Sequence, residues 1–163
     1  MKQCSKCGAE LLENNSVCPN CGSNYTSMSQ PLIQLNTNRS LLKFILLSLI
    51  TFGIYGIVVM SKISTDINTI ASKYDGKSTM HYCLVLFIFA GLTLGIVPLV
   101  WSHRISARIG NELVRRGIDY SFGAGTYWGW GFFGTLIIVG PLIYLHKLFK
   151  SMNLLSENYN VNG

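Results

Sequence analysis

The chain has 163 residues, of which 49% are hydrophobic and 12% are charged, and its formal net charge is +6. A soluble domain has about 25% charged residues, so this composition excludes a domain that meets water on every side. The basic residues flank apolar runs, which favours an anionic membrane surface over nucleic acid.

The N-terminal segment, residues 1–22, contains two C-x-x-C pairs, each followed by a glycine. A spacing of two residues lets both thiolates of a pair bind one ion, and two pairs complete the closed tetrahedral set of a structural zinc site. We predict one structural Zn²⁺ per chain with four ligands: Cys4, Cys7, Cys18 and Cys21. The alternatives are a redox dithiol, which normally lies beside a βαβ pattern, and two disulfides.

This double motif resembles the short zinc ribbons found at the N-terminus of many bacterial membrane and regulatory proteins. Cysteines clustered in this way indicate a metal site in a reducing compartment, so we expect a cytoplasmic N-terminus. Residues 23–39 are rich in Ser, Thr, Asn and Gln, which predicts a flexible linker. The first apolar run begins only at Leu41, so we predict a retained membrane domain over residues 40–159 and no cleavable signal peptide.

The membrane domain repeats one unit three times. Lys62, for example, becomes Arg104 at a shift of 42 residues and Lys147 at a shift of 85, and such self-similarity at a fixed period is the signature of a repeat architecture. In each unit an apolar run is followed by an amphipathic segment whose apolar residues recur at helical spacing, as Ile63 and Ile67 do.

The three apolar runs cover residues 41–60, 82–102 and 127–145. About 20 apolar residues are enough to cross about 30 Å of hydrocarbon as a helix. We therefore predict an all-α polytopic membrane protein with three transmembrane helices, each followed by an amphipathic helix, and a small N-terminal zinc ribbon. The basic and aromatic residues near the ends of the runs are the predicted membrane-interface residues: Arg104, Arg108, Arg115, Arg116, Trp101, Trp128, Trp130 and Tyr144.

The motif TFGIYG, residues 51–56, is followed by Lys62 and by the triplet Asp66-Ile67-Asn68. In these residues the chain resembles a bacterial family of small membrane proteins with a domain of unknown function, family 4234. The resemblance extends over residues 40–157. It implies a multi-pass membrane domain and brings no established activity.

Two topologies are compatible with the apolar runs. Three spans place the amphipathic segments 61–75 and 103–117 on opposite sides of the cell membrane, with the N-terminus in the cytoplasm. Three re-entrant hairpins, bent at Gly53, Gly95 and Gly140, would instead place every amphipathic helix on the cytoplasmic face. We favour spans, because each bend within the lipid would have to satisfy its own backbone polar groups.

No catalytic residue is predicted, because no nucleophile motif, paired carboxylates or phosphate-binding loop is present. The apolar runs also lack the buried charges that ion and proton pathways need. We expect a non-enzymatic membrane module whose ribbon binds a protein partner or supports self-association. The alternatives are a small oligomeric channel or transport accessory, and a membrane-shaping or lipid-sensing protein. The expected partners are the lipid bilayer and a protein, with no nucleic acid and no small-molecule substrate.

Overall fold

The computed structural model describes residues 2–3, 7, 10–11, 20–22 and 33–163. The chain divides into two compact units, residues 1–33 and 34–163. In the first unit, strands β1 (Lys2–Gln3) and β2 (Glu10–Leu11) pair in antiparallel fashion, with Lys2 opposite Leu11. Cys7 lies between these two strands.

The second unit consists of three helical hairpins, each with a short first helix and a long second helix. The short helices are α1 (Leu41–Ile50), α3 (residues 82–92) and α5 (residues 124–136), and the long helices are α2 (Ile54–Asp75), α4 (Ile96–Arg115) and α6 (Gly140–Asn162). Helices α3 and α5 contain π-helical segments, Val85–Phe89 and Tyr127–Phe132. These segments begin within one position of each other when the second and third repeats are aligned, so the repeat extends to local helix geometry.

The first hairpin bends at Phe52 and Gly53, which both have positive φ values, 50° and 89°. The bend retains its hydrogen bonds: the Gly53 amide donates to the Ser48 carbonyl (2.7 Å), and the Thr51 hydroxyl accepts from the Tyr55 amide (2.9 Å). Thr51 thus caps the first turn of α2 as an N-terminal capping residue does. The bend ends the apolar helix without leaving these amides unpaired.

The second hairpin repeats this geometry. Leu94 and Gly95 have φ values of 48° and 86°, and the Thr93 hydroxyl accepts from the Val97 amide (3.2 Å). The third hairpin bends through residues 137–139, and the Gly140 amide donates to the Ile137 carbonyl (2.8 Å). We call the three bends, at residues 51–53, 93–95 and 137–139, the tips.

Among the residues that the structure describes, no helix is both long enough and apolar enough to cross a membrane. The predicted polytopic fold with three transmembrane helices is therefore wrong. The physical reason is the tip: α1 has ten residues and rises about 15 Å, half of a hydrocarbon core of about 30 Å. The long helices begin apolar but soon carry charged residues.

The three long helices run in the same direction. At their C-terminal ends the Arg115 guanidinium lies 3.5 Å from the ring centre of Tyr74, and Arg116 donates to the Asn158 side chain (2.7 Å). The tips that precede the three helices therefore lie together at the other end of the unit. Segments 61–75 and 103–117 are in contact here, whereas the three-span topology placed them on opposite sides of a membrane.

The core is formed by one apolar face of each long helix. Its fully buried side chains recur at the repeat spacing: Ile63, Ile67 and Ile70 in α2, Ile105, Ile109 and Leu113 in α4, and Leu148, Met152 and Leu155 in α6. Each such side chain contributes about 1.5–3 kcal/mol when it is removed from water. The three repeats thus fold as one bundle, because no single amphipathic helix can bury its apolar face alone.

Residues 34–39, which the sequence assigned to the linker, contact the bundle. Leu35 is buried, and its amide and carbonyl both bind the Asn160 side chain (2.8 and 2.9 Å). Arg39 forms an ion pair with Asp66, and its amide and carbonyl bind the Asn153 side chain (3.0 and 2.9 Å). These contacts fix the chain immediately before α1 against α2 and α6.

Candidate functional site

The tips carry an exposed apolar surface. Phe52 is 98% exposed, Leu94 is 95% exposed and Ile138 is 90% exposed. Neighbouring apolar side chains on all three hairpins are exposed as well: Leu49, Ile50, Ile54, Leu92, Ile96, Leu136 and Ile137. A contiguous apolar surface of this kind marks a contact with a partner or a membrane.

No charged residue interrupts this surface. Residues 44–61, 82–102 and 120–145 contain no Asp, Glu, Lys or Arg. The first cationic residue of each long helix is Lys62, Arg104 or Lys147, nine positions after residues 53, 95 and 138. We call these three residues the basic collar. Nine residues of helix rise about 13 Å, which is close to half the thickness of a bilayer's hydrocarbon core, about 15 Å.

The predicted aromatic interface residues divide into two groups. Trp128 and Trp130 are partly exposed, and the Trp128 indole donates to Nδ1 of His103 (3.0 Å). Trp101 is buried and donates to the Met80 carbonyl (2.8 Å). Tyr144 is buried and hydrogen-bonded to Ser106 (2.9 Å), and its burial raises its pKa to about 12. Only the first group is exposed on the surface.

Arg108, predicted at the interface, lies inside the protein. Its guanidinium donates to both carboxylate oxygens of Asp75 (2.6 and 3.0 Å), to Ser72 (2.9 Å), to Thr79 (2.7 Å) and to the Lys77 carbonyl (2.6 Å). Burial alone would raise the pKa of Asp75, but hydrogen bonds from Arg108 and from the Lys77 amide hold this pKa below its usual value. Arg108 therefore fixes the connection after α2 and is not available to headgroups.

Arg115 and Arg116 share one buried carboxylate, that of Glu112. Arg115 donates to it at 2.5 and 2.9 Å, and Arg116 at 2.8 Å. Burial would raise the pKa of Glu112, but the hydrogen bonds from both arginines lower it. Arg116 is enclosed, whereas the Arg115 side chain is 38% exposed. Of the four predicted interface arginines, Arg104 is exposed and is the one within residues 33–163 that has no ion pair.

Sequence reasoning missed the ion pair between Arg39 and Asp66. Burial raises the pKa of Asp66, although the guanidinium of Arg39 opposes that change. The two residues are 27 positions apart, and α1 lies between them. No local spacing could have indicated this pair, because it depends on how α1 folds back on α2.

The predicted zinc ligands fall partly outside the described residues. Cys7 and Cys21 are exposed, while Cys4 and Cys18 lie outside the described residues. Among the described residues, no group of three metal-binding side chains occurs. Gly22, which follows Cys21, has a φ of 65°, as expected for the glycine that closes a C-x-x-C-G turn. The four thiolates of the two C-x-x-C-G motifs would fit a tetrahedral Zn²⁺.

Comparison with family models gives two matches. Residues 3–24 match a zinc-ribbon domain, and residues 39–111 match a domain of unknown function, DUF4234. Residues 3–24 are therefore similar to a zinc ribbon, and residues 39–111 are similar to a DUF4234 domain. This arrangement is the one predicted from the sequence. No curated protein and no solved structure matches the chain.

The DUF4234 segment covers the first hairpin and most of the second. The motif that carried the resemblance, residues 51–56, is the first tip and the turn that follows it. Thr51 caps α2, Phe52 is the exposed apolar residue and Gly53 completes the bend. A side chain at Gly56 would meet the Ser48 hydroxyl at 3.3 Å and the Phe44 ring at 3.4 Å. The motif therefore specifies a hairpin whose two helices lie close together.

Proposed function

We propose that residues 34–163 anchor the protein to a membrane by inserting the three tips into one lipid leaflet. The observation that supports this proposal is the charge-free apolar surface, bounded about 13 Å from the tips by the basic collar. The hydrocarbon of one leaflet is about 15 Å deep, so the tips would lie near the bilayer centre with the collar at the phosphates. The long helices would extend away from the membrane.

The apolar contribution is large enough to hold the protein on a bilayer. Each of Phe52, Leu94 and Ile138 would contribute about 1.5–3 kcal/mol on leaving water. Each collar residue near an anionic surface adds about 1 kcal/mol. The hydrogen bonds at Gly53, Tyr55 and Gly140 reduce the cost of placing a bend in hydrocarbon, which was the objection to hairpins at the sequence level.

Vesicle flotation tests the proposal. The full chain should float with vesicles of phosphatidylcholine and phosphatidylglycerol, and a variant with Phe52→Ser, Leu94→Ser and Ile138→Ser should not. The matched control is Val114→Ser with Val161→Ser, since these exposed apolar residues lie at the opposite ends of α4 and α6. Equal flotation of the tip variant and the wild type would contradict insertion.

The role we propose is non-enzymatic, with the zinc ribbon as a protein-binding or assembly element held in the cytoplasm beside the membrane. One structural Zn²⁺ on Cys4, Cys7, Cys18 and Cys21 would supply the stability that so short a segment lacks. The proposal rests on the zinc-ribbon match and on the two C-x-x-C-G motifs of the sequence. A more specific form of this proposal is that the protein senses lipid composition, because the basic collar would favour anionic lipids.

Metal analysis of the purified chain tests the ribbon. We expect one Zn per chain in the wild type and in the control Cys83→Ser, because Cys83 belongs to α3. Cys18→Ser with Cys21→Ser should lose the metal, and far-ultraviolet circular dichroism should show the helical bundle retained. Full Zn content in the double variant would refute the ligand assignment.

A further inference from the structure

A groove of about 920 Å³ lies beside the core, between the C-terminal part of α2, the connection 76–81 and α4. Its lining on α4 extends from Val97 to Arg115. Eighteen residues of helix rise about 27 Å, so the groove follows most of that helix. It passes the level of the basic collar at Arg104 and therefore reaches from the lipid-facing end to the exposed end of the bundle.

The end of the groove nearest the tips is apolar. Val97 and Val100 line it on α4, Val85 lines it on α3, and Met80 lines it on the connection. These residues belong to the charge-free part of the hairpin or adjoin it. An acyl chain could enter this end directly from the leaflet, without crossing a polar surface.

From the level of the collar onward, the groove is basic. Arg104 and Lys77 line it, and both are exposed. Two carboxylates also line this part, but Asp75 is paired with Arg108, and Glu112 is paired with Arg115 and Arg116. Arg104 pairs with no carboxylate within residues 33–163, so its guanidinium is available to bind an anion in the groove.

The wall of the groove is held in place before any ligand binds. Arg108 ties α2 to α4 through Ser72, and it ties the connection to α4 through Thr79 and the Lys77 carbonyl. The Trp101 indole donates to the Met80 carbonyl (2.8 Å). A site organised in this way does not lose the free energy of ordering a loop when a ligand binds. Arg108 therefore has a positioning role: it holds the wall of the groove in place next to the exposed Arg104.

We infer that the groove binds one anionic phospholipid, with its phosphate at Arg104 and an acyl chain along Val97 and Val100. A guanidinium binds phosphate oxygens in a bidentate manner, and a basic end joined to an apolar end matches the two parts of a lipid. This inference rests on the proposed membrane anchoring, since the lipid would enter from the leaflet that holds the tips.

Native mass spectrometry of the full chain released from detergent micelles tests the site. The micelles carry phosphatidylglycerol or phosphatidylcholine as the probe lipid. We expect one phosphatidylglycerol per chain, retained at least tenfold more than phosphatidylcholine. Ala107→Trp, which fills the groove without changing charge, and Arg104→Gln should each reduce the phosphatidylglycerol adduct about tenfold.

The matched control is Lys147→Gln, which removes a charge at the equivalent position of α6, where no residue lines this groove. Lys147→Gln should keep the adduct. If Arg104 acted only through general electrostatic attraction, Arg104→Gln and Lys147→Gln would reduce the adduct equally. An equal effect of these two changes, an adduct that survives Ala107→Trp, or equal retention of both lipids would overturn the inference. Flotation separates lipid binding in the groove from membrane anchoring. If Ala107→Trp floats normally but has lost the adduct, both proposals are supported. If the wild type forms the adduct in micelles but does not float with vesicles, the anchoring alone is overturned. Circular dichroism shows whether each variant is folded.

Discussion

Phe52 and Leu94 occupy a backbone conformation that bulky residues rarely adopt. Their φ values of 50° and 48° lie in the left-handed region, which costs an L-residue about 1–2 kcal/mol. Their side chains are almost fully exposed, so packing within residues 33–163 does not offset this cost. Strained residues of this kind cluster at functional sites, and here the strain presents an apolar side chain at the end of the first and the second hairpin.

Replacing Phe52 with Asn should separate stability from membrane binding. Asn tolerates the left-handed region better than Phe, so the free energy of unfolding should stay the same or rise by about 1 kcal/mol. Membrane partitioning should fall at least about tenfold, because about 1.5–3 kcal/mol of apolar transfer is lost. Urea unfolding and vesicle flotation measure the two quantities. A parallel loss of stability and binding would show that Phe52 has an ordinary structural role.

The buried carboxylate of Glu112 should make the stability pH-dependent. Its pKa is lower in the folded chain than in the unfolded chain, so its contribution is complete above the unfolded value and is lost as the pH falls through the folded value. The urea midpoint of the wild type should therefore fall between about pH 5 and pH 3. Asp75 acts in the same direction and Asp66 in the opposite one, since their pKa values are lowered and raised respectively.

Glu112→Gln should reduce that dependence. The variant should be less stable than the wild type at pH 6, and the difference between the two should shrink as the pH falls. Urea midpoints measured at several pH values provide the comparison, with exposed Glu157→Gln as the control for a general change in charge. A difference that stays constant over the range would contradict the assigned pairing.

At the scale of elements, the sequence predicted the long helices better than the short ones. The spacing of Ile63, Ile67 and Ile70 indicates one buried helical face, and the structure buries all three. The length of the apolar runs suggested spans, because length does not reveal where a helix bends. Gly53 and Gly95 permit a bend, but each is preceded by another residue with a left-handed backbone, Phe52 or Leu94. For these two residues, local propensity predicts a continued helix.

The candidate site was predictable only in part. The charge-free runs and the recurring basic position can be read directly from the sequence, and they define the apolar surface and the collar. The groove could not be predicted, because it depends on Arg108 reaching Asp75 and Ser72 from another hairpin. The i,i+4 spacing of Arg108 and Glu112 predicts an ion pair between them. This prediction is wrong, because Glu112 binds Arg115 and Arg116 instead. Tertiary contacts decided between these partners.

Arg108 is the residue that joins the first and second hairpins through the connection 76–81. Arg108→Met should therefore lower the free energy of unfolding by about 3–5 kcal/mol, because it leaves buried polar partners unsatisfied. Arg104→Met, on the exposed face of the same helix, should change the free energy by no more than about 0.5 kcal/mol. Chemical unfolding followed by circular dichroism measures both. Similar losses in the two variants would mean that the network does not stabilise the fold.

At the scale of the whole molecule, three parallel hairpins bring three apolar tips to one end and the charged residues to the other. Each apolar run is used twice, once on the way to the tip and once on the return, so about 20 residues reach only half the depth of a bilayer. The third hairpin, beyond the DUF4234 match, completes the bundle through α6. This arrangement explains how a chain with so few charges can lack a spanning helix among its described residues.

The depth of the tips in a bilayer can be measured by tryptophan quenching with lipids brominated at known acyl positions. In a background where Trp101, Trp128 and Trp130 are replaced by Phe, a single tryptophan is placed at Phe52, at Leu94 or at Ile138, with Val114→Trp as the control at the other end. We predict that bromines deep in the acyl chains quench all three tip positions and leave the control unaffected. Membrane-bound protein whose tip tryptophans are unquenched, or quenched no more than the control, would contradict insertion of the hairpins into one leaflet.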